Sequence, residues 1–504
     1  MTNELQKVKD DLIAEIDKRI VDKIIEKTNA DLLKKLIEQA ETINEAIMIA
    51  ELGTTYKRTG FHFDKRLEKM TDTVKYFKKN KKLSFVQDKK SPTHKLIIGD
   101  NYDALLNLLI EYHGKIDVIY IDPPYGKDSM GEFAKTNYEN AITRDNLLSM
   151  LYPRLVLARQ LLSDNGVIFC SIDDKNQAYV KGLFDEVFEE SNFVSNIVWD
   201  KKASAKGVPP KNMLVNVHEY ILAYQGKNGF SFSGIERNED DGFKNPDNDP
   251  RGPWRESNIK STTKSIDQAF SIVDPNTGRE YTNTWAFSKK SLEQMIKENR
   301  ILWKDTLPKQ KEFMFEMTNE NKAIKSSWGI FDAQSTTVFL KNLLPEVNFA
   351  NPKPISLMLH LLSVATTKNS LILDFFAGSG TTGQAVLELN KQDGGKRQFI
   401  LATANEITDT TPNGIVNDVT SKRLKRVMTG ECYDGTKDFK WNEENKPLGD
   451  NLDVYDIATV APYSDEPFTQ IDETLYGKEK LGVNEKIKWV CENFESTQKT
   501  LKDK

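Results

Sequence analysis

Two short stretches of the sequence carry residue types and spacings that could do chemistry. The first is Asp122-Pro123-Pro124-Tyr125, directly after the apolar run Val118-Ile119-Tyr120-Ile121. A carboxylate accepts hydrogen bonds and cannot donate them. Pro123 adds a carbonyl, neither proline has an N–H to compete, and two fixed φ angles make the turn stiff. Asp122 and the Pro123 carbonyl are therefore suited to accept the two N–H bonds of an exocyclic amine, and Tyr125 offers a flat face to a heterocyclic base. The plain alternative is a rigid strand-to-loop turn with a solvated Asp. The tetrapeptide should arise by chance in roughly one chain of this length in several hundred, which favours the clamp.

The second stretch is Asp374-Phe375-Phe376-Ala377-Gly378-Ser379-Gly380-Thr381-Thr382, after the apolar run Leu371-Ile372-Leu373. Gly378 and Gly380 allow close backbone approach, and a helix N-terminus attracts an anion. Many nucleotide binders share such a loop, and Asp374 alone could be a turn or capping residue. Glu406 sharpens the reading. It closes the next strand, Phe399 to Ala402, and with Asp374 is placed to accept hydrogen bonds from ribose hydroxyls.

Around these stretches short apolar runs alternate with helical segments. Leu96–Ile98, Val118–Ile121, Val167–Ile172, Ile197–Trp199, Tyr220–Tyr224, Leu371–Leu373 and Phe399–Ala402 read as strands. Helices are expected over 104–110, 147–162 and 382–390. The alternation predicts an α/β fold with a parallel sheet, whose ligands sit outside the carboxyl ends of the strands. Asp100, Asp122 and Asp173 all follow strand ends.

The rhythm breaks over 226–345, where turns and four of the seven tryptophans fall, and resumes near 350. The expected organisation is a helical N-terminal region with a basic linker over 1–95, an α/β half over 96–225 and an insert over 226–345. A second α/β half over 346–427 and a polar tail over 428–504 complete it. Leu12, Ile13, Ile16, Ile20, Ile24 and Ile25 recur at helical spacing in the first region. They would pack on their own domain or serve as an arm for a second subunit. The lysines between 75 and 95 read as a solvated linker or a phosphate-contacting edge.

Composition bounds the function classes. The chain has 504 residues, 38% apolar and 10% aromatic, so a disordered chain is excluded. Length alone suggests roughly three domains. No apolar run approaches ~18 residues, so no membrane span is expected. Three separated cysteines, Cys170, Cys432 and Cys491, give neither a disulfide framework nor a zinc site. The N-terminus shows no secretory pattern. The expectation is a cytoplasmic protein without a metal. A net charge of −5 argues against coating nucleic acid through bulk charge and leaves room for a local basic groove.

With these residues in view, the chain resembles the S-adenosylmethionine-dependent amino-methyltransferases of DNA. Its DPPY motif precedes the glycine loop with a large insert between, which is similar to the beta class. The resemblance implies a circularly permuted Rossmann-like methyltransferase domain whose insert is the target-recognition domain. Asp249-Pro250-Arg251-Gly252-Pro253-Trp254-Arg255 and Asn351-Pro352-Lys353-Pro354, with a helical N-terminal region and an extended tail, resemble the modification (Mod) subunits of type III restriction-modification systems. A stand-alone beta-class methyltransferase, acting on adenine N6 or cytosine N4, is the alternative.

The resemblance implies catalytic roles for Asp122, Pro123, Pro124 and Tyr125. It implies S-adenosyl-L-methionine as cofactor, held by Asp374, Phe376, Gly378, Ser379, Gly380, Thr381 and Glu406, with Asp100 near its adenine and Lys353 near its methionine end. Asn216–Ile221 resembles the strand that closes over the target base. The substrate would be adenine N6 in double-stranded DNA, flipped from the helix to reach the pocket. A homodimer and a restriction (Res) subunit are the implied partners. Cytosine C5 chemistry is disfavoured, since it needs a cysteine in a Pro-Cys context and none of the three follows a proline. RNA or protein-glutamine methylation usually has Asn first in the clamp. A catalytically dead binding module would not need both motifs intact.

Overall fold

A computed structural model describes residues 2–21, 25, 27–51, 74–124, 143–202, 213–236, 242–317, 321–347, 349, 352–460 and 485. Residues 1–64 and 65–504 are two compact units. Among the described residues no helix is long and apolar enough to cross a membrane.

The N-terminal unit has three helices, Thr2–Val21, Lys27–Gln39 and Ile43–Glu51. The apolar stripe expected on one helix is buried within this unit. Ile16, Ala30, Ile37, Ala40, Ala46 and Ala50 form its core, with Leu12, Ile13 and Ile20 at its edge. Arg19 donates to the Ala50 carbonyl at 3.1 Å and Lys9 to that of Glu38 at 2.9 Å, tying the helices together. Ile24 lies outside the described residues.

The second unit is built on a ten-stranded sheet. Its strands in chain order are β1 (Val74–Lys79), β2 (Thr93–Ile98), β3 (Ile116–Ile121), β4 (Leu162–Ile172), β5 (Phe193–Asp200), β6 (His218–Gln225), β7 (Ser327–Ile330), β8 (Leu371–Asp374), β9 (Gln398–Thr403) and β10 (Asn451–Val460). The spatial order is β1-β10-β2-β9-β8-β3-β4-β6-β5-β7. Strands β10, β2, β9, β8, β3 and β4 run parallel to one another. β6 is antiparallel to both of its neighbours, β4 and β5.

Counted from the glycine-loop strand β8, the parallel core β2-β9-β8-β3-β4 has the order 3-2-1-4-5. That is the order of a doubly wound dinucleotide fold, entered here at its third strand. The order reverses between β8 and β3, so the switch-point crevice opens where Asp374 and Asp122 stand. Leu96, Val118, Val167, Phe169, Ile372 and Leu401 bury the core of the sheet under helices that include Ile355–Ala365, Thr381–Asp393 and Ser421–Thr429.

Three boundaries differ from the expected ones. The supposed basic linker contributes β1 and β2, and two of its lysines are engaged inside the fold. Lys79 pairs with Asp453 at 2.8 Å, and Lys95 with Glu111 at 3.3 Å. The supposed polar tail supplies β10, whose Leu452 and Val454 are fully buried. Its acids hid the strand: Asp453 and Asp456 interrupt the apolar residues, Asp453 pairing with Lys79 of β1 and Asp456 accepting from Asn80 just past it at 2.9 Å. The insert as expected ended at 345, yet Ser327–Ile330 within it joins the main sheet beside β5.

What stands apart is 242–317. A three-stranded sheet (Ile301–Leu302, Lys309–Phe313, Trp254–Asn258), a hairpin (Phe270–Val273 with Glu280–Asn283) and a helix (Lys289–Lys297) surround Ile259, Ile272, Tyr281, Trp285, Leu292 and Met295. The aromatics of this segment are mostly core. Trp285 is fully buried and donates to the Phe270 carbonyl at 2.7 Å, and Trp254 donates to Asp247 at 2.8 Å. The DPRGPWR phrase builds an internal ionic node. Asp249 binds Arg251 at 2.7 Å and the buried Lys311 at 3.1 Å, while Arg251 stacks over Phe313.

Because β10 is a sheet strand, Leu452→Ala should cost about 2–5 kcal/mol of unfolding free energy, measured by urea denaturation. A cost below about 0.5 kcal/mol, as for a surface position, would contradict its place in the sheet.

Candidate active site

β3 is apolar throughout its buried length and stops at Asp122, where Pro123 can donate no ladder hydrogen bond. The Asp122 side chain keeps 27% of its surface open, while its Oδ1 is fully covered. Burial raises its pKa; the Lys353 ammonium, 3.0 Å from Oδ1, opposes the shift, and Glu219 adds to it. The contact with Lys353 is an ion pair without hydrogen-bond alignment, and Oδ1 has no hydrogen-bond partner among the described residues. Pro123 is buried and Tyr125 lies outside the described residues.

On the neighbouring strand Asp374 is 2% exposed. It accepts from the Phe376 backbone N–H at 3.0 Å and from the Thr382 hydroxyl at 2.5 Å. Burial pushes its pKa up to about 7, with those two bonds holding it down and Asp122 nearby adding to the rise. The glycine loop then turns through two positive φ angles, +48° at Gly378 and +78° at Gly380, before the helix starts at Thr381. A side chain at either position would strain the backbone. At Gly378 a Cβ would meet nothing closer than the Phe376 carbonyl at 3.8 Å, so the loop presents bare backbone there.

Arg423 braces the loop from below. It is fully buried, donates to Ser379 Oγ at 3.0 Å, Thr381 Oγ1 at 2.8 Å and Gln384 Oε1 at 2.8 Å, and burial lowers its pKa to about 10. Thr420, in the single π turn Val416–Thr420, donates to the Gly378 carbonyl at 2.5 Å. Sequence reasoning missed Arg423. Its place in an amphipathic helix with Arg426 and Lys422 makes it look like a surface residue.

The two motifs meet in one cavity of about 280 Å³. Of the expected residues, Asp122, Pro124, Lys353, Asp374, Phe376, Gly378, Ser379, Thr381 and Glu406 line it. Pro123 and Gly380 are not on its wall. Asp100 is not either: it caps the helix Asn101–Tyr112 through the Tyr102 N–H at 2.7 Å, and the buried Arg154 guanidinium takes both its oxygens at 3.2 Å. The next residue, Asn101, lines the cavity instead and donates to the Phe375 carbonyl at 3.0 Å. Asp173 caps a turn at Asn176. Asn351 lies outside the described residues.

The structure adds two residues that the motifs did not reveal. Tyr120 lines the cavity, with its hydroxyl 2.8 Å from Ser171 Oγ and its pKa raised well above the usual value by burial. Glu219 on β6 pairs with Lys353 and with Lys201, each at 3.2 Å. An alternation of acid and base across separate strands leaves no trace in local sequence.

A doubly wound sheet with a glycine loop, an acid at the adjacent strand end and one shared cavity defines a nucleotide-cofactor α/β domain of permuted order. Comparison with known proteins places it more closely. The profile of the DNA methylase family matches residues 116–407, and a second profile, of an uncharacterised conserved protein, matches residues 2–118. The chain belongs to the DNA methylase family.

Among curated proteins it is 29% identical over 416 residues to the type III restriction-modification enzyme StyLTI Mod subunit of Salmonella typhimurium, covering 73% of this chain and 63% of that protein. It is 29% identical over 417 residues to the EcoPI Mod subunit of Escherichia phage P1, covering 68% and 63%. Over 391 residues it is 29% identical to the type II methyltransferase M.KpnI of Klebsiella pneumoniae, covering 70% and 91%. The chain thus spans under two thirds of the length of these two Mod subunits.

The pKa of Asp374 has a consequence for stability. A carboxyl near pKa 7 when folded and about 3.8 when unfolded binds its proton more tightly in the folded state. Its contribution is fully present below the unfolded value and is lost as pH rises through 7. Wild-type protein should be less stable at pH 8 than near pH 5, by an amount on the order of a few kcal/mol. Asp374→Asn should flatten that dependence in urea titrations. An equal pH dependence in both proteins would contradict the assignment.

Proposed function

We propose that the protein transfers the methyl group of S-adenosyl-L-methionine to N6 of adenine in double-stranded DNA, as the modification subunit of a type III restriction-modification system. The observation that carries this reading is the shared cavity. Asp122, whose side chain keeps 27% of its surface open, lines the same space as the glycine loop.

The residues present fit the cofactor. Gly378 offers bare backbone, Thr381 stands at a helix N-terminus, and Glu406 brings an acceptor for hydroxyl groups to the same wall. Phe376, Ser379 and Asp374 complete the set that would hold it. Bound there, the cofactor supplies an electrophilic methyl group on a positively charged sulfur. The chain's own residues do the rest. Adenine N6 is a poor nucleophile because its lone pair is delocalised into the ring. If Asp122 and the Pro123 carbonyl accept its two N–H bonds, the nitrogen can pyramidalise toward attack, so catalysis is positioning plus electrostatics. Tyr125 would stack on the flipped base.

Adenine is favoured over cytosine N4 because the first clamp residue is Asp rather than Ser. Similarity to Mod subunits supports the restriction-modification setting. The stand-alone reading has one observation in its favour, since the chain spans 91% of M.KpnI. Co-purification of a second, larger subunit from the native host distinguishes the two; its absence would favour the stand-alone enzyme.

Asp122→Ala should keep cofactor affinity within a few-fold by calorimetry and lose methyl transfer by about 10³ or more. Full activity in that variant would refute the clamp.

The same reading makes the protein a homodimer. Support comes from the N-terminal helical unit, which has its own core yet leaves Leu32 and Met48 exposed. Light scattering should give twice the chain mass at micromolar concentration. A monomer with and without DNA would defeat it. The C-terminal region is less available for such contacts than its composition suggested, because β10 is committed to the sheet; residues beyond 460, Glu485 excepted, lie outside the described set.

A further inference from the structure

We propose that Glu219 is a positioning residue of this site. It holds the Lys353 ammonium as a counter-ion shared with Asp122, so that an arriving amine displaces the lysine from Asp122 instead of competing with it. The inference rests on the reading of Asp122 as the acceptor of the target amine.

Four charged groups form a chain across four separate segments. Lys201 follows β5, Glu219 is on β6, Lys353 precedes the helix Ile355–Ala365, and Asp122 ends β3. The separations are 3.2 Å from Lys201 to Glu219, 3.2 Å from Glu219 to Lys353 and 3.0 Å from Lys353 to Asp122. Lys353 is 13% exposed and Glu219 12%. In so dry a setting each charge needs a partner, and removing one leaves the other at a large cost. The four together are neutral.

The two carboxylates hold Lys353 differently. Glu219 Oε2 accepts a hydrogen bond from its ammonium, whereas Asp122 Oδ1 sits at ion-pair distance without hydrogen-bond alignment. Asp122 is therefore neutralised by Lys353 at its covered Oδ1, while the part of its carboxyl that stays exposed, away from Oδ1, is open to an N–H donor. Among the described residues the other groups facing Asp122 supply no cation. Tyr120 and Cys170 are held neutral by burial, and Asp374 is an acid. Lys353 is the positive charge that makes an ionised Asp122 tolerable. Glu219, kept ionised by Lys353 and Lys201 against its own burial, shares that lysine with Asp122.

Each partner should then shift the acid limb of the rate profile in its own direction. Glu219→Gln removes a negative charge that raises the Asp122 pKa, so the limb should move to lower pH. On the plateau kcat should fall about tenfold, because Lys353 now competes with the amine through a charge-assisted bond. Lys353→Met removes the cation, so the limb should move to higher pH. Glu219→Asp keeps the charge and should keep the wild-type limb, whatever its turnover.

The experiment uses the full chain, unmethylated genomic DNA and tritiated S-adenosylmethionine, with cofactor affinity measured alongside. Opposite shifts in Glu219→Gln and Lys353→Met, at near-normal cofactor affinity in Glu219→Gln, support the proposal. Unmoved limbs, shifts in one common direction, or a Glu219→Gln variant that loses cofactor affinity with kcat intact would overturn it. Asp122→Asn separates the two levels. If it retains turnover, the amine clamp itself falls. If it is inactive while both limbs stay put, only the role of Glu219 falls.

Discussion

The structure depends on one short piece of parallel pairing. Ile372 and Leu373 of β8 lie against Val118 and Ile119 of β3, although the insert separates them in the chain. This ladder joins the two halves of a permuted sheet. It sets Asp374 and Asp122 at neighbouring carboxyl ends, where the strand order reverses. β3 is apolar where it is buried and β8 is apolar up to Asp374, so the pairing is held by core packing against Phe169, Val167 and Leu401. Such long-range parallel pairing is entropically costly to form. The helices at 355–365 and 381–393, which flank the ladder, bury the apolar surface that offsets the cost.

Placing charge at that junction creates the second constraint. Asp122 and Asp374 stand past neighbouring strands in a buried setting, and Asp122 adds to the rise in the Asp374 pKa. The protein answers the two cases differently. Asp374 is satisfied by neutral donors, the Phe376 N–H and the Thr382 hydroxyl, and remains close to protonation at neutral pH. Asp122 is given a cation, Lys353, which is itself anchored by Glu219. Beneath the glycine loop the buried Arg423 holds Ser379 and Thr381 through hydrogen bonds to their hydroxyls. Loop, clamp and counter-ion are thus fixed by groups outside the two motifs.

Much of this was legible in the sequence where local chemistry was unusual. DPPY after an apolar run and a Gly-x-Gly turn after another gave the two halves of the site and the α/β class. Glu406 was reachable because it ends the strand next in order. What escaped notice was encoded in tertiary pairing. Strand β10 breaks its apolar residues with acids, and Asp453 and Asp456 read as solvent-facing until Lys79 and Asn80 are seen to bind them. Lys79 and Lys95 looked like a linker for the same reason. Asp100 obeyed the strand-end rule yet was claimed by Arg154, whose position in the middle of a long helix gave no hint of burial. The tryptophans of the insert serve its interior, since a small irregular domain needs large apolar residues to make any core at all.

The central claim is that the cavity at the β3–β8 junction joins a methyl donor to an exocyclic amine of a DNA base. The most direct measurement is nucleoside analysis by mass spectrometry, after full-length protein has acted on unmethylated DNA with S-adenosylmethionine carrying a labelled methyl group. The account predicts the label in N6-methyladenine alone. Label in N4-methylcytosine would contradict the assignment of the base, and label in C5-methylcytosine, in RNA or in protein but not in DNA would contradict the account itself.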